Sequence, residues 1–208
     1  YEKHRRFDLA QQSYEAILSI EEDNFPAQVG RMAMLIATNS TEAQTNFEYL
    51  KQQCIAENHW YILGEHCLKV GDLDKAEICF AELLKLSPKH YEAQLYQSFI
   101  QQQRENVLAS ERILQNLSQQ HPQRPEAYIQ LGNLYLSAHG FKQSEHYFQH
   151  IIEDSLSPED WYPFYALALS LIGQGRFTEA ENYLLQAQKL QPEEDKIQNS
   201  LDLIEQHK

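Results

Sequence analysis

With 208 residues, 42% hydrophobic and 23% charged, the chain can bury a sizeable core, which excludes an intrinsically disordered protein. A formal net charge of −13 argues against nucleic-acid binding, which needs clustered Lys and Arg, and the longest basic cluster, Lys3-His4-Arg5-Arg6, is short. No apolar run approaches the roughly 20 residues of a membrane span; only seven Gly and seven Pro, and no alternating β-branched runs, leave an all-α chain as the reading.

In chain order, the first predicted element is a helix near Phe7 to Ile20, the second half of an incomplete helical hairpin over residues 1–24. A full hairpin follows over 25–56, where Pro26 suits a helix start and Asn39-Ser40 with Glu42 forms a turn and cap. Residues 57–90 make the most regular hairpin. Trp60, Leu63, Cys67 and Leu68 fall at three- and four-residue steps, and Leu73, Ile78, Phe80, Leu83, Leu84 and Leu86 repeat that spacing after the Val70-Gly71-Asp72 break. Gly64 and Ala76 are small where bulk would push the helices apart, Gly71 can take the positive φ of a tight turn, and Pro88 ends the second helix.

The hairpin over 91–124 has the right length, but its first helix departs from the pattern. An ungapped register puts Gln94, Gln97, Ser98 and Gln101 at core positions. Either the helix slides by about two residues to bury Leu95, Tyr96 and Phe99, or its apolar side faces a groove; an unburied stripe of that size is disfavoured, which favours the slide. Regularity returns over 125–160, with Tyr128, Leu131, Gly132, Tyr135, Ser144 and Phe148, and over 161–194, with Phe164, Leu167, Ala168, Gly175, Ala180 and Pro192. The tail 195–208 carries Ile197, Leu201 and Ile204 on one helical face, as a terminal capping helix does.

One ruler unites these segments. A small residue recurs at Ala10, Ala43, Ala76, Ser110, Ser144 and Ala180, at steps of 33, 33, 34, 34 and 36. Four residues beyond each stands a bulky one, Tyr14, Phe47, Phe80, Leu114, Phe148 and Leu184. The period, with Trp60-x-x-Leu63-Gly64-x-x-Cys67, Ala76-x-x-x-Phe80 and Pro88, resembles the tetratricopeptide repeat, departing from it at Cys67 where that family has Tyr. The resemblance implies a right-handed α-solenoid of about five full repeats forming a single domain over 1–208, and a role in binding other proteins. Tyr1 matches the first-helix Tyr and Ala10 the second-helix Ala, so the chain is expected to be a piece of a longer protein.

Catalysis is not expected, because no phosphate loop, nucleophile elbow or metalloprotease helix is present, and no cofactor is called for. His146, His150 and Glu153 share one face of a predicted helix, but it is the outward face, where solvated polar residues are the simpler reading. Cys54, Cys67 and Cys79 match no zinc spacing; Cys67 and Cys79 sit on core-facing positions, so buried free thiols and a reducing, cytoplasmic compartment are expected.

The resemblance places partner binding on the concave groove lined by the second, fifth, ninth and twelfth positions of each repeat. Here those are Asn58, Tyr61, Glu65 and Leu68; Glu126, Ile129, Asn133 and Leu136; and Tyr162, Tyr165, Leu169 and Ile172. Leu95 and Phe99 join them only if the fourth repeat does not slide. This apolar and aromatic set suits an amphipathic helix or an extended apolar peptide of a partner protein. A carboxylate-binding clamp needs several Lys and Arg, and only Asn133 and Lys69 come near it. Two alternatives are the recruiting arm of a larger enzyme and a homo-oligomer formed through residues 1–7 or the terminal helix.

Overall fold

The computed structural model describes residues 2–38 and 40–206, with side chains from residue 9 onward. Twelve α-helices and no strand occur among the described residues. They fall into two compact units, Tyr1–Ile100 and Gln101–Lys208. The first unit holds α1 (Glu2–Ile20), α2 (Phe25–Ala37), α3 (Glu42–Gln53), α4 (Glu57–Lys69), α5 (Leu73–Leu86) and most of α6 (Tyr91–Gln103). The second holds α7 (Val107–Gln120), α8 (Pro125–Ser137), α9 (Phe141–Glu153), α10 (Trp161–Ile172), α11 (Phe177–Leu190) and α12 (Asp195–Glu205).

Local chemistry sets the helix ends. The Asn24 side chain accepts from the Ala27 N–H at 3.0 Å and Asp72 from the Lys75 N–H at 3.0 Å, each satisfying a donor that the first helical turn leaves orphaned. Pro26 stands in the first turn of α2, as its missing N–H allows, and α5 stops at Leu86, two residues before Pro88. At α3 the expected pairing of Ser40 with Glu42 is present. Thr41 holds the cap position without a side-chain bond, and Ser40 Oγ accepts from the Glu42 N–H at 3.3 Å instead; Asn39 lies outside the described residues.

In two hairpins a small residue interlocks with a ring. A β-carbon on Gly64 would lie 2.9 Å from Phe80 Cζ, and one on Gly132 2.6 Å from Phe148 Cε2, so in both repeats the bare first-helix backbone is the seat of the second-helix ring. The ring positions and those three residues beyond them form the core. In the first unit Phe47, Leu50, Leu63, Cys67, Cys79, Phe80 and Leu83 are buried together; in the second Phe148, Ile151, Leu167, Leu171, Leu184, Ile197 and Ile204 are. Each such side chain withdrawn from water contributes about 1.5–3 kcal/mol before entropy is set against it.

In four hairpins the turn between the helices shares a left-handed backbone position but not a constant residue. Gly71 at φ 84° and Gly175 at φ 76° occupy it in two repeats; Glu105 at φ 62° and His139 at φ 57° occupy the equivalent place in two others. The left-handed residue beside Gly140 is thus His139.

Two expectations need correction. The first helix is not confined to Phe7–Ile20: α1 runs unbroken from Glu2, so no hairpin turn separates residues 2–6 from it. Tyr1, and the side chain of Phe7, lie outside the described residues. Nor does α6 slide. It starts at Tyr91, 34 residues after the start of α4, and Ser98 is fully buried at the place of Gly64. Tyr91, Ala93 and Ile100 fill the buried face, while Phe99 stays 37% exposed. The physical reason is that Tyr96, only half-buried, finds an aromatic neighbour without sliding: its ring stacks on Phe80 at 5.0 Å and 27°.

Candidate functional site

The expected groove residues lie on the first helices of the hairpins, and the structure gathers them in each unit separately. In the first unit, α4 carries Asn58, Tyr61, Glu65 and Leu68, while α6, in its unshifted register, presents Glu92, Leu95 and Phe99 at the matching positions. Tyr61 is the centre of this set. Its ring lies 5.7 Å from His90, nearly parallel, and 6.1 Å from Tyr96. The Tyr96 hydroxyl donates to Glu65 Oε1 at 3.5 Å, and burial, the hydrogen bond with Tyr61 and the Glu65 charge together push its pKa well above the usual tyrosine range. Glu65 also pairs with Lys69 at 3.1 Å. Leu68 is half-buried against the core.

Beside Tyr61 opens a shallow pocket of about 440 Å³, lined by Glu57, Asn58, Tyr61, His90 and Glu92. His90 Nδ1 accepts from the Ala93 N–H at 3.3 Å and lies 3.5 Å from Glu92 Oε2. Glu57, His90 and Glu92 were not among the expected site residues. Glu92 was legible, standing 34 residues after Asn58, but the preference for a sliding α6 hid it.

In the second unit, α8 and α10 bring Asn133, Tyr162 and Tyr165 together. The Tyr162 hydroxyl donates to Asn133 Oδ1 at 2.7 Å, and the Tyr162 ring meets the edge of Phe148 at 6.2 Å. Asp160 caps the start of α10, accepting from the Tyr162 N–H at 2.9 Å, which fixes the first turn on which the tyrosine stands. Trp161 lies 5.6 Å from Tyr165 and 5.8 Å from Tyr162, and the two tyrosine rings are 6.4 Å apart. Ile129, Tyr162, Tyr165 and Ile172 pack partly on the core; Leu136 and Leu169 are half-buried. The set is an aromatic ledge rather than a fully open surface.

The clamp residues are already engaged, Lys69 by Glu65 and Asn133 by Tyr162. Among the described residues no three His, Cys, Asp or Glu side chains gather as they would around a metal ion. His150 is not simply solvated: its ring meets Tyr128 at 4.6 Å and its Nδ1 lies 3.3 Å from Asp154. Glu153 accepts from Gln149 at 2.7 Å, and His146 is exposed on the edge of Tyr147. The thiols of Cys54, Cys67 and Cys79 are free, and burial pushes Cys54 up to about 12, so it is a poor nucleophile. No helix among the described residues is long and apolar enough to cross a membrane.

Comparison with known proteins agrees with this architecture. Residues 60–90 and 163–194 each match the family profile described as the tetratricopeptide repeat. No curated protein gives a significant sequence match. Among solved structures, a tetratricopeptide repeat protein from Parabacteroides merdae ATCC 43184 aligns at 18% identity and a TM-score of 0.66, over 98% of this chain and 79% of its own. MamA from Desulfovibrio magneticus RS-1 aligns at 17% identity and 0.61, over 83% of this chain and 98% of the other. A double mutant of MamA from RS-1 aligns at 16% and 0.63, over 71% and 82%. At these identities the likeness is one of fold, an all-α array of helix-turn-helix repeats.

Proposed function

We propose, from a chain built on tetratricopeptide repeats, that it is a non-enzymatic scaffold whose first-helix faces capture a helix or extended segment of a partner protein. The observation that carries this reading is the grouping of aromatic rings on those helices, Tyr61 with Tyr96 and Tyr162 with Trp161 and Tyr165, although second helices also expose apolar side chains, Tyr49, Ile78, Leu108 and Leu185 among them. Tyr61 walls an open pocket, Phe99 is 37% exposed, and Tyr165 and Leu169 are half-buried without closing the ledge they stand on. The second-helix rings Phe47, Phe80 and Phe148 are buried in the core. The three free thiols favour a reducing, cytoplasmic setting.

The test replaces Tyr61 and Tyr165 by Ala, one in each unit, and measures partner capture beside helical content. Capture should fall in both variants with the circular dichroism unchanged. Capture at the original level in both would remove the groove assignment.

A further inference from the structure

The pocket beside Tyr61 differs in chemistry from the apolar groove expected of the sequence. Its walls are two carboxylates, Glu57 and Glu92, one amide, Asn58, and the two nearly parallel rings of Tyr61 and His90. Glu65, one turn beyond Tyr61, is already paired with Lys69, so the negative charge of this face comes from Glu57 and from Glu92, whose Oε2 lies 3.5 Å from His90 Nδ1. Glu57 and Glu92 stand in the first turns of α4 and α6. There the helix dipoles present partial positive charge, roughly half a unit each, which the full charges of the glutamates outweigh. At about 440 Å³ the space exceeds what a bare ion needs, and no trio of ligating side chains converges in it. A net charge of −13 adds a long-range field that draws cations in.

Resting on the scaffold reading above, we propose that this pocket receives an arginine side chain of the partner segment. A guanidinium is planar, so it can lie on the Tyr61 face while its edge donors reach Glu57 and Glu92; an ammonium has the charge but not the plane. The aliphatic part of the same segment then runs over Leu95 and Phe99.

The probe is the capped tripeptide acetyl-Gly-Arg-Gly-amide, titrated into the intact chain and followed by amide chemical shifts, with Lys, Leu and Glu versions as controls. The Arg peptide should shift the amides around Asn58, Tyr61 and Glu92 saturably, the Lys peptide more weakly, and the Leu and Glu peptides not at all. The isosteric pair Glu57→Gln with Glu92→Gln should weaken Arg binding by about three- to thirtyfold and reduce its salt dependence. Equal shifts from the Leu peptide, or unchanged Arg binding in the double variant, would overturn the proposal. Partner capture separates the two readings. If Tyr61→Ala loses the partner and the double Gln variant keeps it, the scaffold face stands and the arginine seat falls; if both keep it, this face is not where the partner binds.

Discussion

The Tyr162 hydroxyl donates a 2.7 Å hydrogen bond to the Asn133 side-chain oxygen Oδ1, joining the first helices of two successive hairpins across 29 residues of sequence. Both residues occupy positions expected to face a partner, yet here they hold each other. Tyr162 is therefore part strut and part surface. Tyr162→Phe should cost about 1 kcal/mol in urea unfolding, the net worth of one such bond. Tyr162→Ala should cost more, about 2 kcal/mol or above, because the ring also packs on Phe148. A Phe variant as stable as the parent would mean that the bond contributes nothing in solution.

The recurrent turn offers a stabilising change. Glu105 and His139 hold positive φ where Gly71 and Gly175 sit in other repeats, and a residue with a β-carbon pays about 1–2 kcal/mol for that conformation. Glycine relieves that strain while adding freedom to the unfolded chain, so Glu105→Gly and His139→Gly should each raise stability by about 0.5–1 kcal/mol. Thermal unfolding checks this, and a lowered Tm in both variants would show that local side-chain contacts outweigh the strain.

Two serines at equivalent positions should respond oppositely to loss of their hydroxyls. The Ser144 and Ser170 hydroxyls are hydrogen-bonded to each other at 2.8 Å in the second unit's core, whereas buried Ser110 Oγ has no hydrogen-bond partner among the described residues. Ser110→Ala removes an unsatisfied polar atom and should be neutral or stabilise by up to about 1 kcal/mol. Ser144→Ala leaves Ser170 with only its bond to the Ala166 carbonyl and should destabilise by about 1 kcal/mol. Equal effects would mean that Ser110 finds a partner in solution.

Alkaline stability should depend on Tyr135. Its hydroxyl donates to Glu111, and that bond, with burial, raises its pKa from 10.0 to about 12. Folding therefore favours the protonated phenol. The stability this contributes is complete below about pH 10 and is lost as the pH climbs from 10 to 12. Glu111→Gln should bring the phenolate absorbance of Tyr135 back toward the ordinary range and flatten the loss of stability across that window. An unchanged titration would exclude Glu111 as the cause.

The hairpins were legible in the sequence because their packing rests on side-chain size at fixed steps. Gly64 beneath Phe80 and Gly132 beneath Phe148 are such size signals, and the structure seats ring on backbone at both. The register of α6 was not legible, because Gln94, Gln97 and Gln101 carry no apolar signal at the positions that define it. The tie between Tyr162 and Asn133 escaped for another reason: position marks both as groove residues, and only geometry shows that they meet. The acidic pocket was hidden by the register of α6, since Glu92 joins Glu57 and Tyr61 only when α4 and α6 stack unshifted.

The central claim is that a partner docks on the first-helix faces and not on the second-helix backs. A photo-crosslinking amino acid placed at Tyr165, with a control at exposed Gln149 on α9, tests it directly in the intact chain. The account predicts crosslinked partner from position 165 and little or none from 149. Equal yields at both, or partner captured from 149 alone, would contradict it.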